Sequence, residues 1–462
     1  MRRTLFLLLA LGAITLAAVQ QTKLTKRMTV RERLLRQGGD AWTEYVKRKE
    51  AMRISSRSSH KFADFDDNEY TGNITIGSPG QSFRVILDTR SADLWVADSS
   101  RSVNRAGNCD SFWCSGFFCA EFCEDQSCCG SKKSLKAVAN RAGNCDNFYC
   151  FGFLCMEFCD DKSCCSVRKD KQSKGILKLK NVVRSKQNKF DSRRSLSYAK
   201  DGRPWQIQYG TGSVSGFLGV DTITLGDDPA NILIVPKITF GQATAVVDFP
   251  RDETVDGVLG LAFLSRFNSN VKPVFQQAID QKLMEQPLFT VWLNQDENEN
   301  GGIFTWGAVD STHCGAVLGY QSLSSSTDYQ FTLSGASIGS FTINKKFEVI
   351  SDAGTSFLAA PQDVTDKIAT AAGGVYRRDW DLYTVDCNAR APDLTLTVGS
   401  LQLVLKSNNM IVKIDDSTCV ISIHSYDSLG FGASWVLGEP FMRHYCNIYD
   451  MGNKRIGFAP SL

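Results

Sequence analysis

The sequence predicts a mainly β protein with a large core, and three observations predict it. From about Phe62 onward the chain runs in short alternating apolar stretches, such as Phe83-Arg-Val-Ile-Leu-Asp88 and Trp205-Gln-Ile-Gln-Tyr209. Glycine-rich turns separate these stretches, as in Ile76-Gly-Ser-Pro-Gly80, which is the punctuation of strands rather than helices. The chain is 462 residues long and 43% hydrophobic, enough apolar material for one large core or two lobes.

The first element is a leader. Arg2 and Arg3 precede the apolar run Leu5–Ala18, and the polar pair Gln20-Gln21 follows it. This pattern predicts a secretory signal over residues 1–18, cleaved near Ala17 or Ala18. No other stretch reaches the roughly 18 apolar residues of a membrane span. Sixteen cysteines fit the oxidising compartment that such a leader implies, so disulfides are their expected state and the destination is the secretory pathway, extracellular or lysosomal.

The second element is basic. Residues 1–61 carry 14 Lys and Arg against 4 acids, whereas the net charge of the whole chain is only +3. The small total gives no reason to invoke nucleic acid. Leu34, Leu35, Trp42 and Tyr45 stand among these charges. They describe either an exposed amphipathic helix or a pro-segment over residues 19–61 laid on an acidic cleft by charge complementarity.

The third element interrupts the strands. RAGNCDSFWCSGFFCAEFCEDQSCC at 105–129 recurs at 141–165 with 18 of 25 positions identical. Each copy holds six cysteines at a spacing that lacks the paired Cys-x2-Cys of a zinc site, which favours a disulfide knot over a metal-binding unit. The aromatics Phe112, Trp113, Phe117 and Phe118, with Phe148, Tyr149, Phe151 and Phe153, serve either to pack the knot or to meet a partner. Residues 166–200 then carry 12 Lys and Arg against Asp170 and Asp191, the composition of a solvated linker.

The chemistry sits in two short motifs. Val85-Ile-Leu-Asp88-Thr89-Arg90-Ser91 and Val349-Ile-Ser-Asp352-Ala353-Gly354-Thr355 each run an apolar stretch into an aspartate at a tight turn. Each is followed far downstream by an apolar pair and a glycine, Val258-Leu259-Gly260 and Val436-Leu437-Gly438. One such aspartate alone reads as a solvated turn; two related copies in one β chain are specific. With Tyr209-Gly-Thr-Gly-Ser-Val-Ser-Gly216, Asp256-Gly-Val-Leu-Gly-Leu-Ala, Trp435-Val-Leu-Gly-Glu-Pro-Phe and the ending Tyr449-Asp-Met-Gly-Asn-Lys-Arg-Ile-Gly-Phe-Ala, the chain resembles the pepsin-like aspartic proteases over nearly all of residues 25–462. Its wording is most similar to nematode cathepsin D-like members.

The resemblance implies a bilobal fold, with an N-terminal lobe at 62–307 holding the insert 101–200 and a C-terminal lobe at 308–462. It implies Asp88 and Asp352 as catalytic aspartates, and Tyr209, Gly210 and Thr211 in a flap over the peptide with Trp95 beneath Tyr209. It places Gly354 and Thr355 beside the substrate and gives Thr89 and Ser91 supporting roles. Two facing carboxylates cannot both ionise easily, so they share a proton; one activates water while the other protonates the scissile carbonyl, at acidic pH. No cofactor or metal is required, and the partner is an extended peptide or protein bound by a monomer. The resemblance also pairs Cys387 with Cys419, and Cys314 with Cys446. Asn73-Ile-Thr75 is a glycosylation sequon lying in an expected strand.

Two positions depart from the family triplet. Arg90 replaces a glycine whose missing Cβ leaves room beside the substrate, and it brings a cation toward the carboxylates. It either suppresses the shared proton or a subsite, or points away to solvent or an outside acid. Ala353 lacks a hydroxyl that braces the two loops, leaving that brace to Thr89. The expected function is therefore an aspartic endopeptidase, with a catalytically impaired homologue acting as a protein- or peptide-binding module as the competing class. Lys and Arg at 47–49 and 53–61 are candidates to neutralise the aspartates before activation.

Overall fold

Among the described residues of the computed structural model, strands predominate from Tyr70 onward, as the alternation requires. The structure describes residues 19–26, 28, 30–37, 40–47, 70–100, 187–209, 213–228, 231–247, 255–264, 271–294, 301–415, 417–426 and 433–462. The signal run, both cysteine-rich repeats with their aromatics, and the basic residues 48–61 lie outside the described residues.

One 13-stranded sheet runs through the molecule. Its order brings Arg455–Pro460 and Tyr445–Asp450 beside Leu288–Leu293 and Gly302–Trp306, then Gln20–Lys26, Tyr70–Ile76 and Gln81–Asp88. The beginning, middle and end of the chain therefore share one sheet. Gln20–Lys26 was not foreseen as a strand, since the basic segment reads as helical. Its period of two is nonetheless present: Thr22 and Leu24 are buried while Lys23 and Thr25 are exposed. It pairs antiparallel with Gly302–Trp306 on one side and Tyr70–Ile76 on the other.

The helical part of the segment is not an exposed amphipathic helix. Val30–Gln37 and the helical run 40–47 bury Leu34, Leu35, Trp42 and Tyr45. Of the run expected as a solvated basic linker, residues 166–186 lie outside the described residues, and 187–200 are not a solvated linker. Phe190 is fully buried against Phe83, Tyr198 and Phe240, and Asp191 caps a short 3-10 turn at Ser192–Arg194. Arg193 and Arg194 face outward there, so a basic composition coexists with an ordered, packed backbone.

The C-terminal residues add a 5-stranded sheet and two 4-stranded sheets. Helix Gln362–Ala371 begins after Pro361 and buries Val364 and Ile368, one turn apart, against them. Cys387–Cys419 closes one sheet, and Cys314–Cys446 ties the chain at 314 to the strand Tyr445–Asp450.

Both aspartate motifs use the same three-strand device. Gln81–Asp88 runs parallel to Gly257–Gly260, which is antiparallel to Leu94–Ala97. Phe347–Ser351 runs parallel to Trp435–Leu437, which is antiparallel to Leu358–Ala360. The apolar pair and glycine seen far downstream in sequence thus form the middle strand that holds each aspartate turn. The glycines are there because backbone fills the space of a side chain. A Cβ on Gly260 would stand 2.6 Å from Ser91 O, and one on Gly438 would stand 2.3 Å from Thr355 O.

Candidate active site

Asp88 ends its strand and Asp352 follows its own, so each carboxylate leaves a sheet at the point where the ladder stops. Each is then held by amides of its own turn. The Arg90 amide donates to Asp88 Oδ1 at 2.8 Å, and the Gly354 amide donates to Asp352 Oδ1 at 2.9 Å. Thr355 Oγ1 donates to Asp352 Oδ2 at 2.5 Å. Ser91 occupies the corresponding place beside Asp88, but its buried hydroxyl finds no hydrogen-bond partner in normal geometry among the described residues.

Thr89 joins the two turns. Its Oγ1 lies 3.4 Å from both Asp352 Oδ1 and Ser351 O, and it accepts the Ala353 amide at 3.3 Å. Ala353 has no hydroxyl to return the contact, so side-chain bracing comes from one side while the backbone supplies the other half.

Burial pushes the Asp88 carboxyl up from its ordinary value, and the facing Asp352 charge pushes it further. The Ser91 hydroxyl dipole, the Arg90 amide and the Arg90 guanidinium oppose this, in that order, without reversing it.

Arg90 does not point away to solvent. Its guanidinium Nη1 stands 3.5 Å from Asp352 Oδ2, with only 14% of the arginine side chain and 3% of the aspartate side chain exposed. Its backbone still donates to Asp88 as a glycine would.

The hairpin Ala199–Gln208 with Ser213–Leu225 leads to Tyr209, whose hydroxyl accepts the Trp95 indole N–H at 2.7 Å. Gly210 and Thr211 lie outside the described residues. Asn73 is exposed on Tyr70–Ile76, opposite Arg84. Among the described residues no three His, Cys, Asp or Glu side chains are grouped to hold a metal ion. No helix among them is long and apolar enough to cross a membrane.

Two contributors escaped sequence reasoning. Burial pushes the Asp328 carboxyl up from its ordinary value, with the Arg90 cation opposing this and the Asp352 charge adding to it. In Ser324-Ser-Ser-Thr-Asp328 nothing marks it off from a solvated turn acid. The second is Arg31, which is 2% exposed and lies 4.0 Å above the Phe357 ring, five residues beyond Asp352. Of the bases at 47–49, Lys47 is exposed.

The family model for eukaryotic aspartyl protease matches residues 69–143 and 167–461. Aspartic protease 6 of Caenorhabditis elegans is 37% identical over 464 aligned positions, covering 99% of each chain. Aspartic protease 2 of Necator americanus is 33% identical, again over 99% of each. Cathepsin D of Dictyostelium discoideum is 26% identical over 88% of each.

Proposed function

The chain belongs to the eukaryotic aspartyl protease family, which makes it an aspartic endopeptidase, and from that premise we propose that Asp88 and Asp352 hydrolyse extended peptides at acidic pH. The observation that supports the reading is the join between the two aspartate turns, in which Thr89, the neighbour of Asp88, meets Asp352 and the Ala353 amide. In the working state the pair holds one proton. The ionised carboxylate takes a proton from a water as its oxygen attacks the scissile carbonyl carbon, and the protonated carboxyl gives its proton to the carbonyl oxygen. The resulting tetrahedral diol breaks its C–N bond as a proton passes to the leaving nitrogen. The raised Asp88 carboxyl supports retention of that proton. Tyr209, tied to Trp95, closes over the peptide, while Gly354 and Thr355 orient Asp352 below it.

Residues 19–61 act as an inhibitory pro-segment after the 1–18 signal is removed. The buried Arg31 and Trp42 support this, since they cover Phe357 and Trp380. The chain works as a monomer in the secretory pathway, extracellular or lysosomal, for which its two described disulfides are suited. Asn73 is open to a glycan there.

The ion pair between Arg90 and Asp352 favours a second reading, a silent homologue that binds peptides in the cleft without cutting them. Processed protein separates the two. Cleavage of a denatured protein at acidic pH, blocked by a statine-type inhibitor and abolished in Asp352→Asn, supports the enzyme. Inhibitor binding without cleavage at any acidic pH supports the silent homologue.

A further inference from the structure

This inference rests on the two-aspartate reading above and names a substrate class for that site. Arg90 belongs to the turn of Asp88, yet its guanidinium reaches across to the other turn, where Nη1 stands 3.5 Å from Asp352 Oδ2. The two oxygens of Asp352 differ in their surroundings. Oδ1 accepts the Gly354 amide and meets the Thr89 hydroxyl, so it serves the turns themselves. Oδ2 accepts the Thr355 hydroxyl and faces the guanidinium. A permanent cation is therefore set beside one oxygen of a carboxylate that acts on the scissile group.

The Arg90 side chain is 14% exposed and that of Asp352 only 3%, so the arginine is the more open of the two. A peptide laid with its scissile bond on the carboxylates brings the flanking side chains past this guanidinium. A guanidinium is a planar fork of donors that keeps its charge and can serve two carboxylates along different edges. The side chain that fits is an acidic one. Glutamine matches glutamate in shape but gains only the weaker neutral hydrogen bonds. Lysine would set a like charge beside the cation, where partial burial weakens screening.

The arginine leaves the turn itself intact, since its amide still donates to Asp88 Oδ1 at 2.8 Å. Besides Asp352, the carboxyls on which its charge acts are Asp88 and Asp328, both raised first by burial. We propose that Arg90 is a specificity-determining residue that selects substrates with glutamate or aspartate next to the scissile bond, its guanidinium binding that carboxylate alongside Asp352.

The test compares processed wild type, Arg90→Gly and Arg90→Lys on peptides alike except for Glu, Gln or Lys at either residue flanking the scissile bond. Statine-type inhibitors carrying Glu or Gln at the same places report recognition without turnover. At about pH 5, wild type should favour Glu over Gln by roughly tenfold or more in kcat/KM and in affinity at one of the two positions, and should reject Lys. Near about pH 3 the preference should shrink toward equality, because the substrate carboxyl protonates around its ordinary value of about 4.3. Arg90→Gly should level Glu and Gln at both pH values. Arg90→Lys, which keeps the charge without the fork, should retain part of the preference. Arg90→Gln replaces the glycine variant if that chain does not fold.

A wild type that cuts Glu and Gln peptides equally, or a Glu preference that persists in Arg90→Gly, overturns the proposal and leaves the hydrolytic reading standing. A preference undiminished at the lower pH overturns it as well, since charge would then not be what is read. Inhibitor binding that favours Glu only with Arg90 in place, in a chain that never cuts, upholds it and removes the hydrolytic reading. A wild type that neither cuts nor binds inhibitor overturns both.

Discussion

Trp42 donates its indole N–H to the carbonyl of Trp380 at 2.6 Å, joining the basic front segment to a hairpin 338 residues later. Thr43 Oγ1 repeats the link at Asp379 O, also at 2.6 Å. Truncating a buried tryptophan removes about 3–5 kcal/mol of packing. Trp42→Ala should therefore loosen the segment and speed conversion of the precursor at acidic pH by at least roughly tenfold. Gel-resolved conversion time courses check this; unchanged kinetics would show that the segment is held elsewhere.

Tyr209→Phe keeps the ring and removes only the acceptor of the Trp95 N–H, which is left buried. A lost neutral hydrogen bond is worth about 0.5–1.5 kcal/mol, so kcat/KM should fall about two- to tenfold. Steady-state kinetics measure it. A fall of several orders of magnitude would assign the hydroxyl a direct chemical part.

The two described disulfides close loops of different length, with sequence separations of 132 for Cys314–Cys446 and 32 for Cys387–Cys419. Chain entropy assigns them about 5 and about 4 kcal/mol respectively. Replacing each pair by alanine should lower the denaturant midpoint in that order. The reverse order would mean that local packing outweighs loop length.

Gly438→Ala would force a Cβ to 2.3 Å from the carbonyl oxygens of Thr355 and Phe357. Overpacking of this kind typically costs about 1–3 kcal/mol or more and would displace the Asp352 turn, so both stability and activity should fall. Gly315→Ala is the control, since its nearest neighbour would be Pro460 at an ordinary 3.5 Å. Equal thermal shifts in the two variants would refute the packing argument.

Interior carboxylates should make the processed chain most stable in acid. Asp88 is raised by burial and then by Asp352, and Asp256 is raised by burial. A raised folded value means that the native state binds its proton more tightly than the unfolded one. That stability is fully present below the ordinary carboxylate range and is lost as pH rises through the raised value. Asp191 and Asp201 are lowered by their arginine neighbours, but both are surface groups screened by solvent. Melting temperature should decline from about pH 4 toward neutrality, and Asp88→Asn should flatten the decline. A slope that survives that substitution would place its origin at another group.

Much of this architecture was legible because local pattern and fold agree. Val85-Ile-Leu-Asp88 and Val258-Leu259-Gly260 read as strands, and parallel pairing brings Asp88 level with Gly260. What escaped notice depends on packing across long separations. Gln20–Lys26 looks like charged polar text until Thr22 and Leu24 are seen facing the core. Phe190 is one aromatic in a basic run, yet it anchors that run among three other rings. The direction taken by Arg90 was equally hidden, since sequence gives its charge but not whether a rotamer reaches Asp352. Asp328 owes its place to Tyr329, a neighbour whose burial only the fold reveals.

The strand Gln20–Lys26 lies inside the large sheet, bonded on both sides, rather than at its edge. Loss of the front segment would therefore bare the facing edges of Tyr70–Ile76 and Gly302–Trp306, ready templates for another strand. A matured molecule would then persist because its unfolding is slow, and once denatured it would lack the piece that first aligned its sheet. Maturation would be a one-way passage in folding as well as in covalent chemistry.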